Sequence, residues 1–237
     1  MRFERLDALR AIAMLWMAGF HFCFDLNVYG YFHPRQAFTY DPFWTLQRTC
    51  IVSLFLFCAG LSQAVALHAG QSAPRFWRRW AQIAGCAVLV SLGSAQMFPN
   101  SWIYFGVLHG MAVMLVLCRF SAPLRGWLVP LALLALVLPS LVQLPALNSP
   151  ALNWLGLVSR KPVTEDWVPL LPWLGVMWLG LAVGQWLLQS HRAQFAGPVP
   201  APLRPLAALG RWPLSFYILH QPLLIGAILG GRALGWW

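Results

Sequence analysis

Seven apolar segments follow one another along this chain of 237 residues, each about as long as a membrane-crossing helix. A helix needs roughly 20 apolar residues to cross the hydrocarbon core of a bilayer. Hydrophobic residues make up 59% of the chain and charged residues 9%, which is more apolar surface than a soluble fold of this length can bury. The segments cover residues 8–31, 44–68, 79–97, 101–119, 126–144, 168–190 and 211–234. The sequence therefore predicts an all-α fold, a polytopic transmembrane helical bundle of about seven spans, with residues 1–237 forming one integral-membrane domain.

The basic residues indicate how these spans are oriented. The formal net charge is +10, but the basic residues are scattered between apolar segments, so they indicate membrane topology rather than nucleic-acid binding. If every segment spans, one side of the membrane carries Arg2, Arg5, Arg75, Arg78, Arg79, Arg119, Arg125, Arg192 and Arg204. The positive-inside rule makes that side cytoplasmic. We therefore expect a cytoplasmic N-terminus and an extracytoplasmic C-terminus.

The first apolar segment begins like a signal peptide but carries polar residues that a signal peptide lacks. Arg10, His21 and Asp25 interrupt its apolar run, so we expect it to stay in the protein as the first helix. The five cysteines form no CxxC pair and lie within apolar segments, where cysteine behaves as a small hydrophobe. The sequence therefore predicts neither a disulfide framework nor a metal site.

Three histidines are expected at a similar depth in the membrane. His21 lies eleven residues beyond Arg10, which is about 16 Å along a helix. His109 and His220 each lie roughly 14–15 Å from the arginine that marks the inner boundary of their segment. Polar groups at that depth are functional candidates, and one shared cavity would explain all three. The alternative, open for His109 and His220, is that each imidazole only bonds a neighbouring helix.

Asp25 lies one helical turn beyond His21, on the same face of the predicted helix. A carboxylate in that position can orient an imidazole and raise its basicity. The alternative is a salt bridge to Arg48 on the second segment, and both arrangements can hold together. We therefore take His21 and Asp25 as candidate catalytic residues and Arg48 as a candidate substrate-binding residue.

The remaining candidates have ordinary structural explanations beside the functional ones. Arg10 can anchor the helix at the headgroups by pairing with Asp7. Arg78 and Arg79 can be plain topology determinants. Trp173 can lie at the membrane–water interface or line a vestibule that opens outward. Small residues are expected to let helices pack closely at Gly60, Gly106 and Gly110.

Five stretches of the chain together resemble a known family. LDALRAIAMLWMAGFH, in which ten residues separate Arg10 from His21, is similar to the first-helix signature of acyltransferase-3 type membrane acyltransferases. The wider series resembles the bacterial heparan-α-glucosaminide N-acetyltransferase catalytic-domain family more closely. That series is LDALRAIAMLWMAGFHFCFDLN, SLFLFCAGLS, YFGVLHGMA, PLLPWLGVMWLG and LGRWPLSFYILHQPLL, in this order along the chain.

The resemblance implies a membrane-embedded acetyltransferase whose donor is acetyl-coenzyme A, bound from the cytoplasm. The acetyl group would pass through a mid-membrane site to an amino or hydroxyl group of an extracytoplasmic sugar. Animal members are longer, so an envelope or exported glycan in a bacterial inner membrane is the expected acceptor here, and a homodimer is allowed. No metal or haem is expected.

The resemblance also suggests roles for individual residues. His21 would be the catalytic residue, as a general base or a transient acyl carrier, and Asp25 would tune it. Arg10 would lie near the coenzyme, with Arg78, Arg79 and Arg211 available for its phosphates. The candidate substrate-binding residues are Arg48, His109, His220 and Trp173.

Three rival functions use the same residues. A small-molecule or proton-coupled transporter would also need mid-membrane His and Asp, although the paired inverted halves typical of such proteins are not visible in the sequence. A b-type haem protein could use two of the three histidines as axial ligands. In a membrane scaffold, the polar residues would only hold helices together.

Overall fold

The computed structural model describes residues 3–235, and within that range the regular structure is helical. Six helical stretches are long and apolar enough to cross a membrane, judged by length and composition. They are Glu4–Val28, Pro42–His68, Ala73–Met97, Val107–Leu141, Leu170–Ser190 and Pro213–Ala233. These stretches confirm the predicted polytopic helical membrane fold. Arg2, one of the expected topology residues, lies outside the described residues.

The fourth of these stretches is two helices rather than one. A 3-10 turn over Ala122–Trp127 interrupts it, and Arg125 within that turn has φ 44°, in the left-handed region that L-residues rarely adopt. We number the helices α1 (Glu4–Val28), α2 (Pro42–His68), α3 (Ala73–Met97), α4 (Val107–Ser121), α5 (Leu128–Leu141), α6 (Leu170–Ser190), α7 (Arg192–Phe195), α8 (Arg204–Leu209) and α9 (Pro213–Ala233). Since α4 and α5 match the fourth and fifth predicted segments, about seven spans remains consistent with the structure.

The fourth helix begins six residues later than the sequence predicted. Residues 101–105 are non-helical because their backbone pairs with the segment that precedes α6. The N–H groups of Glu165 and Val168 donate to the carbonyl oxygens of Ser101 and Phe105, at 2.8 and 3.2 Å. The Asp166 carboxylate then accepts the N–H of Val107 at 2.7 Å, which satisfies one of the free donors at the start of α4.

The chain forms two compact units, and the division between them falls within α2, after Phe55. The first unit contains α1, the first half of α2, α8 and α9. Its α1 packs against α8 and α9, and the small buried side chains of Ala8 and Ala207 belong to one cluster. Small residues bring helix backbones close where no hydrophobic effect drives helices together. The single membrane domain expected from the sequence stays a prediction.

In the second unit, residues 56–195, α6 packs closely against α2 through glycines. Gly180 and Gly184 face Gly60 and Ala64 of α2, so each helix presents two small residues separated by three. A Cβ on Gly180 would overlap the backbone carbonyl of Phe57. This spacing of small residues is the common close-packing pattern of membrane helices. It confirms the packing role expected for Gly60.

Candidate active site

Polar side chains of α1 and their contacts, from Asp7 to Gln221, form a polar seam along α1 of the first unit. Its end toward the start of α1, which is the inner end under the expected topology, is a contact between Arg10 and Gly210. The Arg10 guanidinium donates through Nη1 to the Asp7 carboxylate and to the Gly210 carbonyl, each at 2.8 Å. A Cβ on Gly210 would overlap the Asp7 carbonyl oxygen, so the chain passes too close there for any other residue. Arg10 therefore pairs with Asp7, as the structural explanation expected, and also fixes the end of α8 beside α1.

The middle of the seam brings together two of the three candidate histidines. The rings of His21 on α1 and His220 on α9 lie with centroids 5.1 Å apart, inclined at 74°. Phe216 lies parallel to the His220 ring at 5.9 Å, and Phe20 meets the His21 ring edge-on at 5.9 Å. The two imidazoles thus form an adjacent pair in aromatic surroundings, whereas the sequence predicted a common depth in the membrane for all three histidines.

The opposite end of the seam, which is the outer end under the expected topology, is a buried carboxylate bound by an amide. Asp25 is 4% exposed, and its two carboxylate oxygens accept hydrogen bonds from Gln221 Nε2 at 2.8 and 3.0 Å. The sequence had placed this carboxylate against His21 or Arg48, and the structure turns it toward α9 instead. Within residues 3–235, Arg48 is half-buried on α2 and makes no ion pair with Asp25. Gln221 is a site residue that the sequence reasoning missed.

Replacing Gln221 with leucine is expected to lower the free energy of unfolding by about 2–3 kcal/mol. The Asp25 carboxylate would then stay buried without its amide donor, and hydrogen bonds to charged groups are worth about this much. Thermal or denaturant unfolding in detergent measures the change. Gln47→Leu is the matched control, because it removes the bond from the exposed Trp16 indole to Gln47 (2.6 Å) and no buried charge is involved. Equal losses in the two variants would contradict the importance of the Asp25–Gln221 contact.

Aromatic residues that the sequence reasoning did not single out form a cluster beside the seam. Phe38, in the loop between α1 and α2, stacks on Trp44 at 4.0 Å and meets Phe20 and Phe24 edge-on at 5.6 and 5.4 Å. Asn27 holds this loop in place by bonding the backbone of Gln36 through both its amide oxygen and its amide nitrogen, at 2.7 and 3.0 Å. The cluster therefore covers the first unit with aromatic rings near the end of α1.

The third candidate histidine, His109, belongs to the second unit and its ring nitrogens are both bonded. Its Nδ1 accepts the N–H of Gly106 at 3.2 Å, so the neutral ring carries its proton on Nε2. That Nε2 lies 3.0 Å from Ser91 Oγ, which in turn donates to the Ile103 carbonyl at 2.7 Å. This closed set of bonds ties α3 to the start of α4, which is the structural alternative that the sequence left open for His109.

The other predicted site residues lie at helix ends. Trp173 is half-buried in the first turn of α6, and Arg78 and Arg79 are exposed on α3, where Arg79 Nη1 lies 3.3 Å from Gln82 Oε1. Arg211 is exposed and directly follows Gly210. Across residues 3–235, no group of three or more His, Cys, Asp or Glu side chains is placed to hold a metal ion.

Comparison with known proteins identifies the family. No curated protein and no solved structure gives a significant match to the chain. The family model described as heparan-alpha-glucosaminide N-acetyltransferase, catalytic, matches residues 2–222. That range contains the whole polar seam, from Asp7 to Gln221. Since the match covers nearly the entire sequence, the chain belongs to the heparan-alpha-glucosaminide N-acetyltransferase catalytic family and has a membrane acetyltransferase-like function.

Proposed function

We propose that this protein transfers an acetyl group from cytoplasmic acetyl-coenzyme A to an amino or hydroxyl group of an extracytoplasmic glycan, in a bacterial inner membrane and with its N-terminus in the cytoplasm. The adjacent imidazoles of His21 and His220 carry this proposal. They lie on α1 and α9, two helices long and apolar enough to span the membrane. Acetyl transfer from a thioester needs groups that accept and return a proton near neutral pH, and imidazole is the side chain best suited to that.

The donor end of the site is proposed at the inner end of the seam. Arg211 follows Gly210 and is exposed, so its guanidinium is accessible to a phosphate of the coenzyme. Arg10 serves this end mainly by holding Gly210, because its Nη1 already donates to Gly210 and Asp7. Arg78 and Arg79, also exposed, stay candidates for coenzyme phosphates on the strength of the sequence.

The reacting end is proposed at His21, as a general base or a transient acyl carrier. Asp25 lies one turn further along α1 and is held by Gln221, so it acts through space rather than through a hydrogen bond to the imidazole. A fixed negative charge there stabilises positive charge that develops on the ring during transfer.

The acceptor end is proposed at the outer part of the first unit. Phe38 and Trp44 offer apolar faces against which a sugar ring can pack, while Arg48 supplies a half-buried cation. Trp173 stays a candidate for the same role in the second unit. His109 would contribute through the structure of α4, since both of its ring nitrogens are bonded.

Calorimetric binding of acetyl-coenzyme A to the purified protein in nanodiscs tests the donor assignment. We expect saturable binding by the wild type and roughly tenfold weaker binding by Arg211→Ala, because a charge-assisted phosphate contact is worth about 1.5 kcal/mol or more. Arg192→Ala is the matched control, as another exposed arginine beside a helix end. A wild type that does not bind acetyl-coenzyme A would overturn the proposal and favour a transporter.

A further inference from the structure

His220 is held in one tautomer by its own helix. Its Nδ1 lies 2.7 Å from the backbone carbonyl oxygen of Tyr217. A carbonyl oxygen only accepts hydrogen bonds, so Nδ1 must carry the hydrogen. In the neutral ring the other nitrogen, Nε2, then has a lone pair and no hydrogen. The fold thus fixes which nitrogen of His220 is able to accept a proton.

That second nitrogen is buried and unused within the part of the chain that the structure describes. His220 is 8% exposed, and its Nε2 has no hydrogen-bond partner there. Buried polar atoms are nearly always bonded, so an acceptor left open in a membrane span requires an explanation. A proton on Nε2 would not satisfy this atom either, because the ring would then bury a positive charge as well as an unpaired N–H.

A second acceptor without a partner lies on the next residue. Gln221 donates through Nε2 to Asp25, while its Oε1 is buried and unpartnered over the same described range. Both unused atoms accept hydrogen bonds and neither donates one. Their natural complement is a molecule that brings N–H or O–H groups, which describes the nucleophile of an acyl transfer.

We propose that His220 Nε2 is the proton acceptor for the nucleophile of the transfer, an assignment that rests on the proposed acetyltransferase function. The nucleophile's nitrogen or oxygen bonds to the acetyl carbon, and its proton passes to Nε2. The carbon–sulfur bond breaks with its electron pair on sulfur, and the imidazolium then returns the proton to the thiolate. No further reactant is needed, and the ring ends neutral as it began.

His21 and His220 then have different roles in the transfer. The His21 ring is the neighbour of the His220 ring, with the two ring centroids 5.1 Å apart. With the proton placed on His220, the transient acyl carrier is the one of the two roles proposed for His21 that remains. The acetyl group bonds to the His21 ring as the carbon–sulfur bond breaks, and it leaves the ring as the nucleophile bonds to it. A purely structural His220 would need only the bond from Nδ1 to Tyr217, and asparagine can make that bond as well.

His220→Asn separates these two readings. The asparagine amide nitrogen occupies the place of Nδ1 and can still donate to Tyr217, whereas nothing replaces Nε2. The measured quantity is the release of free coenzyme A thiol from acetyl-coenzyme A by protein in nanodiscs, with water and added glucosamine as nucleophiles. We expect turnover at least about 100-fold below wild type, the lower range for general base catalysis, with donor binding and thermal stability retained.

Two further variants complete the test. In His220→Gly, added imidazole is expected to restore part of the turnover, because it can supply the missing nitrogen. His68→Asn, at the exposed end of α2, is the matched control and should turn over like the wild type. If His220→Asn releases thiol as fast as the wild type, His220 Nε2 is not the proton acceptor, while the acetyltransferase function still stands. A wild type that releases no thiol would instead overturn the proposed function, and this assignment with it.

Discussion

Replacing His21 with alanine is expected to lower thioester turnover by about 10²- to 10⁴-fold, the range over which positioned proton-transfer and nucleophilic groups act. The His21 imidazole lies beside His220 in the second half of α1, whereas the proposed donor contact, Arg211, lies next to Gly210, the residue that Arg10 contacts. Acetyl-coenzyme A should therefore still bind to His21→Ala with an affinity close to that of the wild type. Thiol release and calorimetric binding, measured on the same preparation, separate the two effects.

A second histidine variant is the control for a general loss of folding or activity. His68→Ala removes an exposed imidazole at the end of α2 and should keep both turnover and binding. Undiminished turnover in His21→Ala would rule out the role assigned to His21. If His21→Ala loses donor binding together with turnover, His21 belongs to the donor end of the site rather than to the reacting end.

Replacing Gly180 with alanine is expected to destabilise the protein by about 3 kcal/mol, at the upper end of the usual cost of overpacking. The new Cβ would overlap the carbonyl of Phe57, which is backbone and cannot rotate away. The α2 and α6 backbones would have to separate, and the neighbouring contact of Gly184 with Ala64 would open with them. The loss should be visible as a lower unfolding temperature in detergent.

Gly93→Ala is the matched control for Gly180→Ala. Gly93 lies within α3, where an added Cβ meets nothing within 4 Å. Alanine in an open helical position normally stabilises a helix by roughly 0.5–1 kcal/mol relative to glycine. The same substitution should therefore have opposite signs at the two sites. A similar small stabilisation at both would mean that α2 and α6 do not approach closely at Gly180.

The sequence predicted the parts of the structure that depend on helix geometry alone. Apolar length determined the spans, and counting residues from Arg10 and Arg211 predicted that His21 and His220 share a level. Their ring contact shows that the two residues are neighbours, while the depth in the membrane expected for all three histidines stays a prediction. The small residue Gly60 was correctly expected at a helix contact, because glycine in a membrane segment has few other uses.

The partners of the polar side chains could not be predicted in the same way. A spacing of four residues places Asp25 on the face of His21, but which neighbour its carboxylate contacts depends on how α9 packs, and there it meets Gln221. The late start of α4 has a similar cause. It depends on backbone bonds from Phe105 to Val168, residues far apart in the chain. The tautomer of His220 likewise depends on a local bond to Tyr217 that composition and hydropathy do not reveal.

The central claim, acetyl transfer across the membrane, is tested most directly in proteoliposomes that contain glucosamine and receive radiolabelled acetyl-coenzyme A outside. In molecules oriented with Arg211 outward, we expect free coenzyme A outside and labelled N-acetylglucosamine inside the vesicles. Vesicles carrying His21→Ala should form neither product above background. Wild-type vesicles that leave the thioester intact, or consume it with all of the label remaining outside, would contradict the account.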